Sequence, residues 1–347
     1  MTTRKGAQVA RRYHDEIVGP LLTRLCPHLV YAAARLGEGS DVLGLDDAMS
    51  TDHGWGLRLS VLLDDAGKVD EVRALLDAEL PETFAGLPVR FPLNDDGPAI
   101  LAVDVAGVAA FLQRRLGADP RQALTPHQWL GLTGQSVLEV VAGPVFADTG
   151  DLLGSARRRL RWYPEPLWLY VLAAGWQRVS QEMPFVGRTG MRGDDIGSRI
   201  IAARLARDLA HLAFLTERRW PPYPKWFGTV LADLPVAGVS AGLQQALAAA
   251  DWPVREAGLV AAIDAVHARQ VAAGLPVPAT SPVEPFWSRP FRTVGASIVD
   301  GLTAAITDPQ VRALPVGAGS VEQWIDNVDV LARPARRMAA AARCEIG

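Results

Sequence analysis

Apolar and polar positions change period along this chain, and the changes predict its elements. Val9, Tyr13, Ile17, Leu21 and Leu22 recur at helical spacing, with Arg11, Arg12, Asp15 and Glu16 between them, which predicts a helix over 5–25. The run Leu29-Val30-Tyr31-Ala32-Ala33-Ala34 then predicts a strand. A second strand is predicted over 57–63, where polar Arg58 and Ser60 alternate with Leu57, Leu59 and Val61. Asp64 to Lys68 reads as a turn, followed by a helix over 69–80 that Pro81 ends. Residues 89–91 and 99–105 are further strand candidates. A helix over 106–116 is stopped by Gly117.

Beyond that point the period is almost entirely helical. Thr125-Pro126 has the pattern of an N-cap followed by a first-turn proline. Helices are predicted over 152–161, 166–183, 199–215, 236–250 and 253–273, with another inside 286–306 and a basic, alanine-rich one over 333–343. The breaker Gly117-Ala118-Asp119-Pro120 places a domain boundary between about 117 and 125. The expectation is an α+β chain: residues 1–117 a mixed sheet flanked by helices, residues 118–347 an all-helical domain.

Composition adds limits. A length of 347 residues suits two domains, and 49% hydrophobic with 21% charged residues describes a folded chain. The net charge of −3 weighs against a nucleic-acid partner held by phosphate neutralisation. Cys26 and Cys344 show no pairing pattern, so a reducing cytoplasm is expected. No apolar run reaches membrane-spanning length, and no apolar segment follows Met1-Thr2-Thr3-Arg4-Lys5, so no membrane partner is expected. The abundance of Ala, Arg, Gly and Asp suggests a GC-rich, bacterial genome. The oligomeric state has no sequence signal.

The richest candidate chemistry lies between the first two predicted strands. The loop from Gly39 to Gly56 is dense in Gly, Asp and Ser, residues that bring backbone N–H groups and carboxylates to one point. Gly39 lets the backbone approach a phosphate closely, and Ser40 adds a hydroxyl donor. Asp52, at the start of the following strand, is placed to hold a divalent cation against such phosphates.

In these residues the sequence resembles the nucleotidyltransferase superfamily, whose signature is Gly-Ser, a spacer, then Asp-x-Asp on the next strand. It is most similar to the branch called domain of unknown function 4037. That similarity is carried by Gly39-Ser40-Asp41-Val42-Leu43-Gly44, Ser50-Thr51-Asp52-His53, Tyr223-Pro224-Lys225-Trp226, Arg289-Pro290-Phe291 and Gly319-Ser320-Val321-Glu322-Gln323. The resemblance implies that magnesium orients a nucleoside triphosphate for attack on its α-phosphate by a small-molecule acceptor. Gly54 stands where the signature has its second aspartate, and glycine has no side chain to ligate with. His53 points to the opposite face of a regular strand.

Other segments offer partners for that site. Asp104 is either the third carboxylate of the superfamily or a helix cap. The loop 185–198 combines glycines, Arg188, Arg192, Asp194 and Asp195 ahead of a helix, which suits an anion at the helix start or an ordinary capped turn. In Arg218 to Phe227 three prolines predict an extended arm that presents Tyr223 and Lys225 to a phosphate, or aromatic packing with Lys225 solvated.

Three functional readings follow. In the first, Gly39, Ser40, Arg58, Arg188, Tyr223 and Lys225 hold nucleotide, Asp52 and Asp104 hold magnesium, and Asp52 and His53 serve catalysis. In the second, the chain binds nucleotide without transfer, as Gly54 suggests. In the third, Asp52, His53 and Glu38 perform acid–base chemistry on a small metabolite.

Overall fold

The computed structural model describes residues 5–51, 55–92 and 99–343. The chain divides into two compact units: Met1–Leu124 with Gln135–Arg161, and Thr125–Gly134 with Trp162–Gly347.

The first unit is α+β. Its main sheet has four strands: β1 (Tyr31–Ala34), β2 (Leu59–Leu63), β3 (Val103–Gly107) and β4 (Val145–Asp148), in the order β3-β2-β1-β4. β2 runs parallel to β3, in register from Leu59↔Val103 to Leu63↔Gly107. It runs antiparallel to β1, from Tyr31↔Leu63 to Ala34↔Ser60. A parallel neighbour requires a crossover, and helix α2 (Val69–Glu79) lies in that connection. β2 is buried along its whole length, Ser60 included, so the alternation that predicted the strand does not mark a solvent-facing side within it.

Leu59, Val61 and Leu63 join one core with Val72 and Leu76 of α2 and with Val9, Tyr13, Val18 and Leu22. The last four come from α1, a helical run Gly6–Tyr13 that continues through a π turn at His14–Val18 into Gly19–Leu25. Helix α3 (Val108–Leu116) contributes buried Phe111, Leu112 and Leu116, and ends on Gly117 at φ +81°.

Two expectations change here. The sheet takes its fourth strand from beyond the boundary near 117, because β4 pairs antiparallel with β1, with a bulge between Ala33 and Ala34. Four residues between Gly143-Pro144 and a helix are too short to show a strand period. Residues 135–161, which include helix α5 (Leu152–Arg159) and all but the first residue of α4 (Gly134–Val141), therefore fall in the first unit.

The second unit is helical apart from a two-stranded ribbon, Val283–Pro285 with Arg292–Val294. Its core is a hairpin of α6 (Glu165–Gly190) and α7 (Asp195–Thr216), followed by α8 (Pro224–Ala232), α9 (Val239–Ala248) and α10 (Trp252–Ala272). Two buried tryptophans are satisfied across it: Trp168 Nε1 donates to the Leu215 carbonyl at 2.7 Å, and Trp176 Nε1 to Gln270 Oε1 at 3.0 Å. α6 does not stop at Met183 but passes through Pro184 to Gly190. The ring removes one bond to the carbonyl four residues back, and that carbonyl, on Ser180, accepts instead from Thr293 Oγ1 at 3.4 Å. Likewise Pro224 does not extend an arm but opens α8, where its missing N–H costs nothing.

Candidate functional site

At the end of β1 the chain turns around one side chain. Arg35 is 1% exposed, and its Nε and Nη2 donate to Asp41 Oδ2 and Oδ1 at 2.8 and 2.7 Å. Its Nη1 donates to the Leu36 carbonyl at 2.6 Å and its Nη2 to the Glu38 carbonyl at 2.9 Å. Gly39 lies inside this wrap at φ +133°, where a Cβ would stand 2.5 Å from both Arg35 Nη2 and Asp41 Oδ1. No other residue fits there. Ser40 is half-buried, and its carbonyl accepts from the Leu45 N–H at 2.9 Å. The turn is braced from outside: the Gly37 N–H donates to the Glu139 carbonyl of α4 at 2.8 Å, and the Arg35 N–H to the Pro144 carbonyl at 3.0 Å.

Sheet topology brings more of the predicted residues to this turn. Because Ala34 pairs with Ser60, the end of β1 and the start of β2 share one edge, so Arg58 stands beside the turn. Burial first, then repulsion from Arg35 and Arg115, partly offset by attraction to Glu38 and Asp41, holds the Arg58 guanidinium below its ordinary pKa. Arg35 has Asp41, and Arg115 has Glu38 and Glu139, each at 3.1 Å. Among the described residues Arg58 has no such carboxylate. Glu139 is itself pushed above the usual carboxylate range, mainly by burial.

Asp104 lies at the same edge, opposite Ser60 in the parallel register. Its carboxylate is half exposed and pairs with Arg114 at 2.8 Å. The cap of α3 is Gly107, so capping is not its role. Asp52 and His53, with Gly54, lie outside the described residues. Among the described residues no group of three His, Cys, Asp or Glu side chains is arranged to hold a metal.

The other candidates belong to the second unit. Arg188 is exposed on the last turn of α6 rather than in a loop, since only Met191 to Asp194 separate α6 from α7. The start of α7 is closed by its own chain: Asp194 accepts from the Gly197 N–H at 2.8 Å, and Asp195 pairs with Arg199 at 2.6 Å and Arg255 at 2.8 Å. Tyr223 occupies the N-cap position of α8 and is half-buried. Lys225 is exposed in the first turn, with Nζ 4.9 Å from the Trp226 ring centroid.

The structure thus gathers Gly39, Ser40, Arg58 and Asp104 at one sheet edge. It adds Arg35, Arg115 and Glu139, which sequence reasoning missed. Arg35 carried a weak signal, a charge closing an apolar run six residues before an aspartate. Arg115 and Glu139 come from distant helices and carried none.

Residues 129–227 match the family model described as Domain of unknown function (DUF4037). That segment does not include Gly39 or Ser40, but it holds Glu139 and Pro144, which brace their turn. No curated protein matches the sequence. Among solved structures, a nucleotidyltransferase-like protein from Exiguobacterium sibiricum 255-15 is similar over 77% of this chain and 77% of its own, with 15% identity and a TM-score of 0.35.

Proposed function

We propose that the Gly39–Ser40 turn and Arg58 seat the triphosphate of a nucleoside triphosphate, in a nucleotidyltransferase-like protein that passes the nucleotidyl group to a small-molecule acceptor. One observation carries this reading. A half-buried guanidinium stands at the turn, crowded by Arg35 and Arg115, and among the described residues no carboxylate forms an ion pair with it: Asp41 and Glu38, which attract it, are themselves paired with Arg35 and Arg115. Buried charges are normally paired. A phosphate group supplies the missing charge and accepts two parallel N–H bonds from arginine.

The resemblance assigns magnesium to such a site. Among the described residues Asp104 fits it poorly, being already engaged by Arg114, and in the sequence Gly54 stands where the resemblance has a second aspartate. Asp52 with the substrate's own phosphate oxygens is the remaining ligand set, and one carboxylate can suffice for magnesium. The reading draws on no contribution from Arg188, Tyr223 or Lys225.

The same two observations favour a second reading, nucleotide binding without transfer. Gly54→Asp separates the two. With a second hard oxygen on the face of Asp52, magnesium-dependent ATP affinity is expected to rise about tenfold, on the scale of one added charged ligand. Calorimetric titration with ATP, GTP, CTP and UTP, with and without magnesium, followed by assay of pyrophosphate release, reads both affinity and turnover. Brisk wild-type release supports transfer; binding with no release in any nucleotide supports the second reading. Absence of binding to all four refutes both.

A further inference from the structure

Within the first unit, the charges around the Gly39–Ser40 turn match in number but not in place. Arg35, Arg58 and Arg115 stand against Asp41, Glu38 and Glu139. Asp41 is held by Arg35, and the other two carboxylates share one nitrogen. Arg115 Nη1 lies 3.1 Å from Glu38 Oε1 and 3.1 Å from Glu139 Oε2. Arg115 thus carries two acids, while among the described residues Arg58 forms an ion pair with none. The backbone fixes this crowding. Arg115 stands in the last turn of α3 and lies against Gly37, where a Cβ would be 3.0 Å from its Nη2, and the Gly37 N–H in turn holds the Glu139 carbonyl.

An anion seated at Arg58 adds negative charge to this set, and protonating one carboxylate relieves the excess. Asp41 is taken by two N–H bonds of Arg35, and Glu38 is 72% exposed to water. Glu139 is the buried acid that remains, 13% exposed, and burial favours the neutral form. Its Oε1 accepts from Gln135 Nε2 at 3.3 Å. Burial first pushes its carboxyl up, Arg115 and Gln135 oppose, and Glu38 adds to the rise. Among the described residues, the charged groups facing it are Arg115 and Glu38. Arg35, Asp41 and Arg58 belong to the turn beyond them, and Arg157 of α5 holds the Val140 and Gly143 carbonyls at the end of α4 at 2.9 and 2.6 Å.

We propose that anion binding at Arg58 is coupled to proton uptake by Glu139, which releases Arg115 to serve as a second arginine for the anion. The proton comes from solvent and converts the carboxylate to a neutral carboxyl. A neutral carboxyl attracts the guanidinium far less than a carboxylate does, so the charge of Arg115 turns to the ligand. The inference rests on the phosphate reading and adds a regulation to it: the site holds its anion more tightly as pH falls.

Calorimetric titration of magnesium ATP in two buffers of different ionisation heat counts the protons taken up. Wild type is expected to take up more than Glu139→Gln, whose amide imitates the neutral acid; the ligand's own protons cancel between the two proteins. From about pH 6 to 8, wild-type affinity is expected to fall by at least about fivefold more than that of the variant, where a fully coupled proton would give about tenfold per pH unit. Glu38→Gln, at an exposed position, leaves Arg115 to Glu139 alone and is expected to reduce the uptake as well. Uptake by Glu139→Gln equal to that of wild type overturns the inference and leaves the phosphate reading standing. Should that variant not fold, equal uptake by wild type and Glu38→Gln does the same. Failure of magnesium ATP to bind any of these proteins overturns both.

Discussion

Arg35 organises a seven-residue turn by filling its donors with one carboxylate and two carbonyls, and this explains which residues of the turn are replaceable. Gly39 is not. Its backbone is in a region that side chains rarely adopt, and a Cβ would press on both partners of the ion pair. Gly39→Ala is expected to lower stability by about 1–3 kcal/mol and to weaken any ligand held at the turn. Urea denaturation measures the first effect, and an unchanged midpoint would show the wrap to be pliable. At this scale Gly39, Ser40 and Arg58 were legible, because glycine, serine and an arginine at a strand start carry local signals. Arg35 was hidden as the end of an apolar run. Its bond to Asp41 depends on how the turn closes, which local pattern does not encode.

At the scale of elements, two contacts give separate tests. The first is Pro184 within α6, where a proline read as a helix breaker is accommodated because Thr293 of the ribbon takes the freed Ser180 carbonyl. Thr293→Val keeps the shape and removes the donor, with an expected cost of about 1 kcal/mol; no loss of thermal stability would mean water replaces it. The second is Glu322, whose Oε2 accepts from the Gly134 N–H at the start of α4 at 2.8 Å. Burial pushes its carboxyl up to about 7, partly offset by that N–H and by Arg207 and Arg337. Because the folded state then holds a proton that the unfolded chain has released, its stabilising contribution is full below the ordinary carboxylate pKa. It is lost as pH rises through about 7. Glu322→Gln is expected to flatten the stability profile between these limits, and to exceed wild type above pH 7 by roughly 1–2 kcal/mol. Parallel profiles would contradict the assignment. Helices of three or more turns announce themselves by period, whereas β4 is four residues long and does not. The ribbon strand Val283–Pro285 is shorter still and is defined by its pairing with Arg292–Val294.

For the whole molecule, the change from strand-like runs to helical period correctly separated an α+β part from a helical one. It could not show that the units are discontinuous, with 125–134 leaving the first unit's sequence and 135–161 returning to it. Contacts between distant segments decide that, and period reports only near neighbours. The family match over 129–227 does not include the Gly39–Ser40 turn, but it does include Glu139 and Pro144, whose carbonyls brace that turn. Among the described residues no helix is long and apolar enough to cross a membrane.

The central claim is that Arg58 is an anion-binding cation and not a structural one. Calorimetric titration of magnesium ATP into wild type and Arg58→Gln, at one salt concentration, tests it most directly. Loss of a charge-assisted contact predicts binding weaker by about tenfold or more, with the melting temperature unchanged or raised, since a half-buried charge crowded by two other arginines has been removed. Equal affinity in the two proteins, or a variant that unfolds, would contradict the account.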